Sequence, residues 1–148
     1  MKAMLRKRSW VAAMALAGAV GILASCQSMA PSYQQVALAG SNEVPPVTTP
    51  ASGTATVTIY PNLSMNVRII VTGMTATAAH LHEGAAGANG PVIVPFIKTL
   101  NAENTFYALD GAKLTEGQYA SYKAGNLYVN VHSAKNSNGE VRVQLKGN

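Results

Sequence analysis

The stretch SGTATVTIYPNLSMNVRIIV, residues 52–71, decides the reading of the fold. Ala55, Val57 and Ile59 alternate with Thr54, Thr56, Thr58 and Tyr60, a period of two that suits a strand with one buried face. Pro61 and Asn62 supply a turn, after which Leu63, Met65, Val67, Ile69 and Val71 alternate with Ser64, Asn66 and Arg68. The two halves predict an antiparallel hairpin. Working outward, the same short alternating segments recur at residues 34–40, 77–83, 91–97, 104–109, 126–132 and 139–146, punctuated by Gly, Pro and Asn. That pattern predicts an all-β chain, an antiparallel Greek-key sandwich or barrel. One helix is expected within residues 113–126, where Thr115 and Gln118 have capping-box spacing and Gly125 supplies a left-handed stop.

The N-terminus reads differently. Lys2, Arg6, Lys7 and Arg8 precede an apolar run of small and aliphatic residues at 11–24, shorter than the roughly 20 residues a spanning helix needs. It predicts a removable export peptide over residues 1–25. The residues Leu23, Ala24, Ser25 and Cys26 resemble a bacterial lipobox, which implies lipidation of Cys26. Gln27, in place of an Asp, resembles the default that sends such lipoproteins to the outer membrane, facing the periplasm. Cys26 is the only cysteine, so no intramolecular disulfide is available and the fold must hold by packing. Residues 26–33 read as a tether and 34–148 as one domain.

Removal of the export peptide leaves seven Lys and Arg against six acids, so the mature chain is close to neutral. The seven cations are scattered singly rather than clustered, which excludes a nucleic-acid surface. A hydrolase needs a nucleophile, a base and an orienting group, and no such set or G-x-S-x-G motif is present. The remaining acids form no evident pair of the glycosidase kind. Catalytic residues are thus not assignable.

The chain has three histidines, two of them in AAHLHEGAAGANGPV (residues 78–92) and the third in LYVNVH (residues 127–132). Alternate side chains of a strand share a face, so His80 and His82 lie side by side with Leu81 turned to the core. In the later strand Leu127, Val129 and Val131 form the buried face, leaving Tyr128, Asn130 and His132 on the other. If the strands are neighbours in register, three imidazoles converge. Such a set suits copper or zinc, with bonds of about 2.0–2.1 Å. Glu83 and Asn130 are the nearby polar groups suited to orienting a ring nitrogen. The alternative is a solvated sheet face on which these side chains serve only the fold.

Three motifs, in order, carry a family resemblance: ALAGSNEVPPVTTPASGTATVTI, AAHLHEGAAGANGPVIV and AGNLYVNVHSAKNSNGEVRVQL. Together they resemble the CHRD domain, a chordin-type module of exported bacterial proteins, over nearly the whole mature chain. Val143 departs from the pattern, standing where the family usually has Gly. The resemblance implies a β-sandwich. It is also distantly similar to copper-zinc superoxide dismutase, which implies an immunoglobulin-like or dismutase-like Greek key and copper ligands at His80, His82 and His132. No histidine remains for a second, zinc-type site.

Glu43, in the EVPP motif, is expected to pair with Arg142 of the last strand. Two functions stay open. One is a lipid-anchored envelope protein binding a single metal ion, copper before zinc, for metal handling or redox protection, with a copper-only dismutase-like activity as its enzymatic form. The other is a non-catalytic module that binds an envelope protein or polysaccharide.

Overall fold

The computed structural model describes residues 30–147. The expected export peptide, the expected lipidation site Cys26 and the first half of the expected tether, residues 26–29, therefore lie outside the described residues. The eight expected strands are all present: β1 (Ser32–Ala39), β2 (Ser52–Ile59), β3 (Met65–Thr72), β4 (Ala76–Glu83), β5 (Val92–Lys98), β6 (Thr105–Ala108), β7 (Leu127–Ser133) and β8 (Val141–Gln144). They close into one antiparallel barrel in the order β1-β2-β3-β6-β5-β4-β7-β8. β4, β5 and β6 form consecutive hairpins, and the chain then returns through α1 (Glu116–Lys123) to lay β7 beside β4. This is a Greek key.

The hairpin of residues 52–71 forms as its alternation demands, with Val57 opposite Val67 and Ile59 opposite Met65. Ala55, Val57, Ile59, Val67, Ile69 and Val71 all point into the core with Leu38, Leu81, Phe96, Phe106, Val129, Val131 and Val141. Several boundaries differ from the sequence reading. β3 begins at Met65, because Leu63 takes φ 65° and its N–H bonds the Tyr60 carbonyl, closing the turn. β1 in turn takes in Ser32 and Tyr33, paired with Ile59 and Thr58, from the stretch expected to be tether.

Helix α1 carries the expected capping box, with Thr115 accepting from the Gln118 N–H and the Gln118 side chain accepting from the Thr115 N–H. Gly125 follows at φ 74°. Val143, at the atypical position, simply pairs with Val129 and is buried. The last strand runs regularly there.

Candidate metal centre

Strand β7 lies between β4 and β8, and this places the outward side chains in rows. His80 faces Asn130, which faces Arg142; His82 faces Tyr128, which faces Gln144; and Ala78 faces His132. The inward neighbours Leu81, Val129, Val131 and Val143 belong to the core, so the rows stand on the outside of the barrel wall, as the alternation predicts. They are nonetheless covered. Every residue of β7 is buried, because residues 84–91 and 134–140 fold over the wall.

The three histidines come together, each offering one ligand atom, with all of these atoms within 4.8 Å of one another. His80 Nδ1 and His132 Nε2 are 2.9 Å apart. Two nitrogens bound to one ion at about 2.0–2.1 Å stand about 2.9 Å apart at a right angle and at most about 4.2 Å apart when opposed. One pair thus already has ligand spacing. The wider span needs only a small contraction to close on an ion.

Hydrogen bonds fix which nitrogens are free. His82 Nδ1 lies 2.8 Å from the Gly90 carbonyl, and His132 Nδ1 lies 2.9 Å from the Ser137 carbonyl. A carbonyl only accepts, so both rings carry their proton on Nδ1 and leave a lone pair on Nε2. His132 Nε2 accepts from His80 Nδ1, while His82 Nε2 is buried with no hydrogen-bond partner. A buried bare lone pair is costly unless something coordinates it. His80 needs only a tautomer change, moving its proton to Nε2, to present Nδ1 as well.

The surroundings keep the rings neutral. Burial holds the pKa of His80 below the usual histidine range, helped by repulsion from His132 and His82. Burial does the same at His82, where the Gly90 carbonyl and the Asn130 amide oppose it and Arg142 adds to it. At His132 burial also lowers the pKa, against the Ser137 carbonyl. Neutral imidazole is the form a metal ion binds.

A stacked layer supports His82. Its ring lies over Tyr128 with centroids 4.8 Å apart and 9° between planes, and the Arg142 guanidinium stands 3.4 Å from the Tyr128 centroid. Arg142 is among the most buried side chains and donates to Asn89 Oδ1, to the Ala85 and Ala88 carbonyls, and to Gln144 Oε1. It thereby clamps the 84–91 loop whose Gly90 carbonyl orients His82. Neither the clamp nor the stack was legible in the sequence, where Arg142 and Gln144 look like surface residues of an edge strand.

Two expected roles are corrected. Glu83 turns away from the histidines and accepts from Ser121 Oγ of α1, because strand parity puts it on the opposite face from His82. Glu43 and Arg142 are drawn into one region but form no direct ion pair, since Arg142 spends its donors on the loop and Gln144. Glu43 Oε1 is left buried without a partner, and burial pushes its carboxyl up to about 7 despite the attraction of Arg142 and the Val44 N–H. Asn130 does stand beside the histidines. Its Nδ2 reaches the Asn138 carbonyl at 3.5 Å while its Oδ1 has no partner, so it acts on His82 by proximity rather than through a well-formed hydrogen bond.

The family profile described as the CHRD domain matches residues 34–145, spanning the barrel and all three histidines. The chain belongs to the CHRD domain family. No curated protein and no solved structure matches it significantly. Within this CHRD domain the two histidine motifs are the two strands β4 and β7, and the Gly-rich segment between β4 and β5 is the cover over His82.

Proposed function

We propose that this CHRD-domain protein holds one copper ion on His80, His82 and His132 as a lipid-anchored envelope protein, attached through Cys26 to the outer membrane and facing the periplasm. Its role is metal handling or redox protection. The observation that carries the reading is the buried, unpartnered Nε2 of His82 beside two histidine nitrogens 2.9 Å apart. Three neutral imidazoles form a donor set that copper accepts readily, and zinc is the alternative ion. Bound there, copper would supply a redox-active centre. The protein's own contribution is to fix the two Nδ1–H tautomers through Gly90 and Ser137 and to shield the site with two loops.

Titration of the purified full-length chain with copper should reach saturation at one equivalent. Each of His80→Ala, His82→Ala and His132→Ala is expected to weaken binding by at least about tenfold. Binding indifferent to His132 would defeat the single-site reading.

A second reading draws on exposed Ile97 and Tyr107 on the outer side of β5 and β6, and on exposed Leu109 just after β6. Ile97 and Tyr107 are cross-strand neighbours, and β5 borders His80 through Pro95. In this reading the barrel is an interaction module for an envelope protein or polysaccharide.

A further inference from the structure

Resting on the copper reading above, we infer that the site is built for the cuprous rather than the cupric ion, selected by a buried cation behind its ligands whose hydrogen-bond acceptors are all neutral. The histidine cluster contains no carboxylate or thiolate, so an ion bound there keeps its whole charge. Glu83, the acid adjacent to His82 in sequence, is engaged with Ser121 instead. On the far side of Tyr128 stands Arg142, which is permanently charged and 1% exposed.

The two printed separations in the stack, 4.8 Å from His82 to Tyr128 and 3.4 Å from Tyr128 to Arg142, put the guanidinium within about 8 Å of the His82 ring. The atoms that accept from Arg142 are neutral amide and carbonyl oxygens. Glu43, the acid that acts on Arg142, is not hydrogen-bonded to it. The field of this cation therefore reaches the ligand cluster, offset in part by Glu43. Every added unit of charge on the ion is penalised twice, by repulsion from Arg142 and by the cost of holding more charge under the two covering loops.

Ligand number points the same way. The cluster offers three nitrogens, and among the described residues no His, Cys, Asp or Glu joins them as a fourth ligand. Three protein nitrogens satisfy a soft monovalent ion by themselves, whereas divalent copper or zinc on the same set has to add water as a fourth ligand. The neighbouring Asn130 Oδ1, buried and without a partner, is a neutral oxygen where a carboxylate would neutralise a divalent ion.

The test is a pair of competition titrations on the full-length chain, with Cu(I) presented anaerobically by a cuprous chelator and Cu(II) or Zn(II) presented by a weak amino-acid chelator. The wild-type chain should hold Cu(I) at least about tenfold more tightly than either divalent ion. Asn130→Asp, an isosteric change that adds one negative charge, should move the ratio toward Cu(II) by about tenfold or more, and Arg142→Gln should move it the same way while Arg142→Lys keeps it near the wild-type value. Divalent ions held as tightly as Cu(I), or a ratio indifferent to Asn130→Asp in a variant that still binds both ions, would overturn the inference and leave the three-histidine site standing. If none of the ions binds, the three-histidine reading falls, and the inference with it.

Discussion

Replacing Gly90 with alanine is expected to cost about 3 kcal/mol or more of folding stability and to weaken copper binding along with it. A Cβ at this position would stand 1.7 Å from the Glu83 carbonyl oxygen and 2.7 Å from its carbon. Both are backbone atoms of β4, so no side chain can swing aside. The strand or the loop must move instead. Either movement pulls the Gly90 carbonyl from His82 Nδ1 and its N–H from the Tyr128 hydroxyl, a contact of 3.1 Å. The control is Gly87→Ala in the same loop. Gly87 has φ 79° but nothing within 4 Å of an added Cβ, so its cost is only the left-handed backbone penalty of about 1 kcal/mol. Urea unfolding of the two variants separates them, and equal costs would show that the 84–91 loop does not lock onto β4 as described.

The second large effect is on pH dependence, through Glu43. Its folded-state pKa is raised from 4.5 to about 7, chiefly by burial. Between those values the native chain keeps a proton that the unfolded chain has lost. Stability therefore falls as pH rises through this window and levels off above about 7, by on the order of 2–3 kcal/mol. The histidines oppose this trend, because their lowered pKa values make the native chain release protons first, and stability from them rises with pH up to the unfolded value of 6.5. The difference between wild type and Glu43→Gln isolates the carboxyl. The variant should be about as stable as wild type at pH 4.5 and more stable at pH 8, and unfolding curves that shift in parallel with pH would refute this account of Glu43.

These two residues also show where the sequence was readable. Period-two alternation identified all eight strands, since each turns one apolar face to the core and the pattern is local. The pair of facing rules, Leu81 inward in β4 and Val129 and Val131 inward in β7, was enough to put His80, His82 and His132 on one side of the wall. Adjacency of β4 and β7 was not local information. It follows from the Greek-key return through α1, and only the assembled barrel sets His80 opposite Asn130. The sequence reading placed the histidines on the outside of the wall. The burial of His82 and His132 comes from two loops held by Arg142, Gly90 and Ser137, contacts that leave no periodic trace, and the Arg142 clamp joins residues 54 apart in the chain. Glu83 shows the opposite limit: its proximity in sequence suggested a role beside His82, while strand parity sends it to Ser121. Arg142 acts on Glu43 through its charge, yet the loop carbonyls outcompete the carboxylate for the guanidinium.

The most direct test of the central claim is X-ray absorption at the copper edge on the full-length chain loaded with one equivalent of copper. Three imidazole nitrogens at about 2 Å, with the multiple scattering that ring ligands produce, are the predicted result. A first shell with only one imidazole, or one dominated by water oxygen, would contradict it and mean that His80, His82 and His132 serve the barrel wall rather than an ion.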